Sequence, residues 1–365
     1  MNGQITTVIP TYRRPRLLVQ AIRSVLNQSY PHFEVHVYDN ASGDETPQVV
    51  AQIAERDRRV KYHCHPKNIG LMQNFLFGIE QVSTSFFNLL GDDDYLLPGF
   101  FETAIEAMTA HVNSGFFFGG LLFFDGRRVV AAPVEDWDVE GTVESARMFR
   151  ALFLPGGWTT WTSSLFRTEI VINAGGLKPE LGYGGDVELL GRLSIRNSVF
   201  VSRKPCAVIN LQHGSASAAD CGQEYSADKL LTLVESIEHE IARAEGEGAI
   251  SPNEASAMRT IIRSGLEWRF FRRAFVSLAQ GHRDSALETA QTLEARCGRD
   301  ELAAVVRIAA STGAIGLAIR AGLRSLRFAH DQVRRRARQL RYEKFADSVE
   351  FACKGMVGED REPLA

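Results

Sequence analysis

Residues 5–40, ITTVIPTYRRPRLLVQAIRSVLNQSYPHFEVHVYDN, decide the fold. The apolar, β-branched runs ITTVIP and FEVHVYDN read as strands. Between them Leu17, Leu18, Ala21, Ile22, Val25 and Leu26 recur at helical spacing, behind a proline at position 15, which suits a first helical turn. This is a βαβ unit. A second pass follows: Asp44 or Thr46 can cap a helix to about Arg58, VKYHCH is a strand, GLMQNFLFGIEQV a helix and FFNLL a strand. Such alternation predicts a mostly parallel, Rossmann-like sheet flanked by helices, with right-handed crossovers.

Ligands of such sheets bind beyond the carboxyl ends of the strands, which here read PTYRR, YDNASGD, HPKNIG and GDDD. From about residue 114 the strands become longer and mixed (SGFFFGGLLFFD, WTSSLFR, FVSRKPCAVINLQHG), with the helical DVELLGRLSIRN among them. Beyond HGSASAADCGQ the strand signals vanish and successive helices follow. The expected division is an α/β domain over 1–215 and a helical domain or arm over 216–365. A chain of 365 residues is long enough for either, since a single core usually stops growing below that size.

Composition excludes little else. Lys and Arg number 41 against 44 Asp and Glu, a net charge of -3, which gives no global argument for nucleic acid. The opening MNGQITTVIPTYRRP lacks the charged and apolar regions of a secretory signal, and no apolar stretch reaches about 18 residues. Cys64, Cys206, Cys221, Cys297 and Cys353 are odd in number and scattered, which suits a reducing compartment. The expected location is cytoplasmic.

Three adjacent aspartates, Asp92, Asp93 and Asp94, end an apolar run in NLLGDDDYLLPG. Adjacent carboxylates repel, so a fold that keeps them beside a buried strand is expected to supply a cation. Mg²⁺ and Mn²⁺ take hard oxygen ligands, typically one or two carboxylates plus substrate phosphates. The ordinary alternative is a solvated acidic turn in which Asp94 caps the following helix. At the end of the first strand, Thr11 and Tyr12 offer backbone groups, a hydroxyl and a ring to a base, and Asp39 can accept the N–H of a uracil or thymine ring. Asp186 and Glu188 open a helix, where a carboxylate can serve as a base or simply stabilise its own helix. His63 and His65, with no partner pair, read as strand residues.

Taken in order, TVIPTYRRPRLLVQAIRSVLNQSYPHFEVHVYDNASGDET, NIGLMQNF, GDDDYLLPG, GGDVELLGRLSI and QHGSAS resemble the motifs of the GT-A fold, family 2 glycosyltransferases. The resemblance covers roughly the first 215 residues. It implies an inverting enzyme that moves a sugar from a nucleotide donor, UDP-sugar favoured over dTDP- or GDP-sugar, to a glycan, lipid-linked glycan or small molecule, with Mn²⁺ or Mg²⁺. Nucleotide-sugar contacts are then expected from Pro10, Thr11, Tyr12, Arg14, Asp39, Asn68 and Gly70, with Asp92 on the ribose and Arg192 on a carboxylate or phosphate. The metal set is Asp93, Asp94 and His213, with Asp93 the direct ligand and Asp94 supporting the loop. Asp186 matches the catalytic base, with Glu188 as fallback, and Trp158 and Trp161 fall on the acceptor side, where ordinary burial is the competing account. Two positions depart from the family: Gly91 replaces the first acid of the usual D-x-D pattern, and Gly185 replaces the acid that usually precedes Asp186.

Those glycines sustain a rival reading, a catalytically impaired protein acting through its helical arm on a membrane or partner. A sugar-nucleotide pyrophosphorylase is a weaker rival, because PTYRRP does not supply its glycine-rich phosphate loop. Residues 316–344 include RAGLRSLRFAHDQVRRRARQLRYEK, whose Ile319, Leu323, Leu326 and Val333 form an apolar stripe beside arginines. Such a helix can pack on its own domain, lie on an anionic membrane surface or support a homodimer.

Overall fold

The computed structural model describes residues 4–132, 139–153, 160–211, 227–311, 316–319, 321–322 and 345. They fall into two compact units, one of Met1–Met148, Trp158–Gly222 and Tyr342–Ala365, the other of Phe149–Gly157 and Gln223–Arg341. The expected boundary after 215 falls outside the described residues; within them, Phe149–Phe153 group with the helical unit and Phe345 with the first. Phe345 is buried there among Tyr95, Leu97, Leu122, Val129, Ala132 and Val208, so its apolar ring, not its place in the sequence, sets its unit.

The first unit runs β1 (Ile5–Thr11), α1 (Pro15–Leu26), β2 (Phe33–Asp39), α2 (Thr46–Arg56), β3 (Val60–Cys64), α3 (Leu71–Glu80) and β4 (Phe86–Leu89). It continues through β5 (Tyr95–Leu96), α4 (Phe100–Ala110), β6 (Ser114–Phe124), β7 (Val129–Ala131), β8 (Gly141–Val143), α5 (Ser145–Phe153), β9 (Ser164–Arg167), α6 (Thr168–Asn173), α7 (Gly185–Arg196) and β10 (Ser198–Asn210). One sheet takes the order β3-β2-β1-β4-β9-β6-β10-β5, with β7 on β6 and β8 on β10. Strands β1 to β4, β6 and β10 run the same way, and β9, β5, β7 and β8 run against their neighbours.

Local chemistry accounts for the elements. Leu18, Ala21, Ile22 and Val25 form the buried stripe of α1, and every residue of β1 is buried because helices cover both sheet faces. Asp44 Oδ1 accepts from the Thr46 N–H at 2.9 Å and from its hydroxyl at 2.6 Å, which starts α2. WTSSLFR is a strand only in its second half, since Trp161–Ser163 forms a 3₁₀ turn before β9. Asn88 explains that junction: its amide donates to the carbonyls of Thr162 and Ser164, both at 2.9 Å, locking the turn onto β4.

Helix α3 lies close on β1. A Cβ at Gly78 would stand 2.4 Å from Val8 Cγ1 and 3.0 Å from Tyr38 Cε2. Gly78→Ala is expected to destabilise the unit, because overpacking costs about 1–3 kcal/mol against roughly 1 kcal/mol of gained helix propensity. The denaturant midpoint checks this, and an unchanged or raised midpoint would contradict the close seating of α3.

The second unit contains α8 (Ala227–Gly246), α9 (Pro252–Gln280), α10 (Arg283–Cys297) and α11 (Asp300–Ala310). A capping box joins Ser251 and Glu254 at the start of α9, and left-handed Gly281 and Gly298 end α9 and α10. Among the described residues no helix is long and apolar enough to cross a membrane.

Candidate functional site

The parallel register brings the carboxyl ends of β1, β2 and β4 together, since Val8 pairs with Leu89 and Thr11 with Asp39. The Leu90 N–H donates to the Val8 carbonyl at 3.0 Å, which carries the chain on to place Asp92 over the end of β1. There the Thr11 hydroxyl donates to Asp92 Oδ2 at 2.8 Å, and the Tyr12 N–H also donates to Asp92. Residues 81 apart in sequence thus share one hydrogen bond.

Tyr12, 38% exposed, turns an accessible ring outward, with the Arg13 guanidinium 5.0 Å from its centroid. Arg13 holds a left-handed φ of 56°, and its N–H donates to the Ser42 hydroxyl at 2.9 Å. Pro10 sits inside the sheet opposite Tyr38. Asp39 has no exposure: the Ser42 N–H donates to Oδ1 at 2.9 Å and the Tyr62 hydroxyl to Oδ2 at 2.6 Å. Each oxygen keeps a second lone pair, but a base reaches it only if the 40–42 turn or Tyr62 moves aside. Burial, then the Asp39 carboxylate, pushes the Tyr62 phenol well up. Sequence reasoning missed Tyr62, whose only signal was its place two residues from the end of β3. Nearby, the exposed Asn68 accepts from Asn40 Nδ2 at 3.0 Å and from the Gly70 N–H at 2.9 Å, and Gly70 takes a φ of +88° that favours glycine.

The three aspartates are each only 6% exposed. Arg14 Nη1 bridges two of them, 3.3 Å from Asp92 Oδ1 and 3.2 Å from Asp93 Oδ2. Asp94 turns the other way: its Oδ1 accepts from the Asn210 N–H at 3.0 Å and its Oδ2 from the Thr162 hydroxyl at 3.3 Å. These bonds pin the loop to β10 and the 3₁₀ turn, the supporting part expected of Asp94 beside Asp93. Asp94 does not cap α4, whose N-cap is Gly99. Burial, then the Asp93 charge, raises Asp92 to about 6, and the same causes in the same order raise Asp94 well above the usual range. Two buried carboxylates side by side, Asp92 and Asp93, fit a divalent cation completed by phosphate oxygens. Among the described residues no three His, Cys, Asp or Glu side chains form a cage by themselves.

Both departures at glycine have a steric cause. A Cβ at Gly91 would stand 2.9 Å from Asp93 Oδ1 and 3.3 Å from Asp94 Oδ2, so a third acid there would crowd two existing ones. At Gly185 a Cβ would meet Leu177 Cδ1 at 3.1 Å, Met72 Sδ at 3.7 Å and the Lys178 carbonyl oxygen at 3.8 Å. Met72 belongs to the first turn of α3, so Gly185 lies near the start of that helix. The next residue, Asp186, is half-buried, with Oδ1 accepting from the Val187 N–H at 2.7 Å.

Glu188 and Arg192 answer differently from their expectations. Glu188 is fully buried, with Arg192 Nε at 2.8 Å, Arg192 Nη2 at 3.0 Å and Lys178 Nζ at 3.2 Å. Arg192 also donates to the Gly176 carbonyl at 2.6 Å and to the Ala174 carbonyl. A guanidinium committed to one carboxylate and two carbonyls has little left for a phosphate, and a fully buried carboxylate engaged by Arg192 and Lys178 is closed to an acceptor hydroxyl. The pair is a strut from α7 to the 174–176 turn. Trp161 is likewise corrected from acceptor contact to core: it is 5% exposed and meets Phe75 edge to face at 4.9 Å. Trp158, His213 and most of the basic stretch 316–344 lie outside the described residues.

Comparison with known proteins bears on the family and the fold. A family model described as Glycosyl transferase family 2 matches residues 6–171. Over 114 residues the chain is 34% identical to the GalNAc(5)-diNAcBac-PP-undecaprenol beta-1,3-glucosyltransferase of Campylobacter jejuni, covering 31% of this chain and 36% of that one. A glycosyltransferase of Haemophilus influenzae is 30% identical over 104 residues, 28% of this chain and 42% of its own length. The matches thus span well under half of these curated relatives. Among solved structures, S. aureus TarS 1-349 in complex with UDP-GlcNAc superposes with a TM-score of 0.63 at 17% identity, covering 90% of this chain and 92% of that one. At that identity the likeness concerns the fold, which is GT-A-like.

Proposed function

We propose, from the match of residues 6–171 to the glycosyl transferase family 2 model, that the chain is a glycosyltransferase that moves a sugar from a nucleoside diphosphate donor to an acceptor hydroxyl with inversion. The observation that carries this reading is the convergence of Thr11, Tyr12 and the paired Asp92 and Asp93 at the strand ends. UDP is the favoured donor base. Tyr12 offers its ring to the base, Asp39 and the turn it braces form the pocket floor, and Asp92 faces the ribose.

Asp93, with Asp92 beside it, would hold Mn²⁺ or Mg²⁺, which when bound supplies charge that stabilises the departing diphosphate. Asp186 takes the proton of the acceptor hydroxyl as that oxygen bonds to the anomeric carbon. The bond from that carbon to the donor phosphate oxygen breaks, and its electron pair leaves with the nucleoside diphosphate. The acceptor proposed first is a lipid-linked saccharide, because the Campylobacter relative is named for a PP-undecaprenol substrate. The non-catalytic reading loses its support, since both glycines that suggested it follow from local packing.

Isothermal titration with UDP, GDP and dTDP, each with and without Mn²⁺, tests the proposal. The expected result is metal-dependent UDP binding that Asp93→Ala removes, and binding of no nucleotide would overturn it. The pH dependence has a definite sign. Asp92 sits above its unfolded value, so its contribution to stability is present below about pH 4 and lost as pH rises through about 6. A cation bound to the ionised carboxylate offsets that loss, so Mn²⁺ with UDP should raise Tm more at about pH 7.5 than at about pH 5. Equal rises at both values would count against Asp92 as part of the cation site.

A further inference from the structure

Arg14 stands at the N-cap of α1 and directs one nitrogen, Nη1, at both Asp92 Oδ1 and Asp93 Oδ2. Its side chain is 29% exposed, whereas those of the two aspartates are 8% and 4% exposed. The cation is therefore at the mouth of the site and the anions are at its base. The two carboxylates are buried side by side, and a buried anion is costly unless a cation faces it. A divalent ion bound to the same oxygens would meet the guanidinium at short range, and two cations cannot share that seat without strong repulsion.

We propose that Arg14 is an exchangeable counter-cation, which fills the seat between Asp92 and Asp93 when donor is absent and turns to the donor diphosphate when metal and nucleotide enter. This rests on the reading of Asp92 and Asp93 as the cation site. The half-exposed position of Arg14 leaves it free to swing outward, and a diphosphate is a suitable partner, since guanidinium pairs with phosphate through two parallel hydrogen bonds. Nucleotide then helps metal to bind by drawing Arg14 off the carboxylates. Metal helps nucleotide by the same factor, because coupling between two ligands is reciprocal. Arg14 is thus a residue that makes metal and nucleotide bind as a pair, and it keeps the donor-free site from holding a bare metal ion.

The test is Mn²⁺ binding itself, followed by the loss of the free-ion electron paramagnetic resonance signal, for wild type, Arg14→Gln, Arg14→Lys and Asp93→Asn, each with and without UDP. Thermal melts confirm that each variant is folded. In wild type, UDP should tighten Mn²⁺ binding by about tenfold or more. In Arg14→Gln, Mn²⁺ alone should bind about tenfold more tightly than in wild type, and UDP should add little. Arg14→Lys keeps the charge and should retain part of the coupling. If Mn²⁺ binds through Asp93 but with the same affinity in wild type and Arg14→Gln, the exchange is overturned while the cation site stands. If Asp93→Asn leaves Mn²⁺ binding unchanged, the cation site and the exchange fall together.

Discussion

Asp186→Asn should lower sugar-transfer turnover by about a thousandfold while UDP affinity and Tm change little. An amide keeps the size and most hydrogen bonds of the carboxylate but cannot take a proton from an attacking hydroxyl. The half-buried carboxyl accepts the Val187 N–H at 2.7 Å, a bond that the amide oxygen of asparagine can keep. UDP release from UDP-sugars in the presence of saccharide acceptors measures the turnover, and titration with UDP measures the affinity. Full turnover in Asp186→Asn with loss in Glu188→Gln would reassign the base. Parallel loss of turnover and UDP affinity would instead place Asp186 on the donor.

Arg192→Ala should act on stability, by about 3–5 kcal/mol, because it leaves Glu188 buried with one of its two cations gone. Lys178 is 34% exposed and offsets only part of that loss. The carbonyls of Ala174 and Gly176 lose a donor at the same time, so the turn they form should loosen from α7. Chemical denaturation reads the change. Replacing both partners, Glu188→Leu with Arg192→Met, should recover part of it, since no unpaired buried charge then remains. A loss under about 1 kcal/mol in Arg192→Ala would show that the strut does not hold this part of the domain.

Much of the site was legible in the sequence because its residues end strands. The alternation of strands and helices to Leu89 follows from apolar periodicity, and the strand ends PTYRR and GDDD are polar runs directly after apolar ones. The part proposed for Asp186 comes from its motif at the start of a helix. The roles of Glu188 and Arg192 were not. Their spacing suits an i, i+4 pair, but whether that pair faces a ligand or the 174–176 turn depends on a segment folded back from earlier in the chain. Trp161 is similar: its type suits a sugar or a core equally, and only packing on Phe75 decides.

The sequence by itself therefore determined the βαβ core, its polar strand ends and the residue types available there, since periodicity and strand order are local properties. The tertiary structure alone decided which carboxylates are available. Asp92 and Asp93 face Arg14, Asp94 is spent on Asn210 and Thr162, and Glu188 is spent on Arg192 and Lys178. The physical reason is that a buried carboxylate takes its role from the donors around it, and these donors come from segments far apart in the chain.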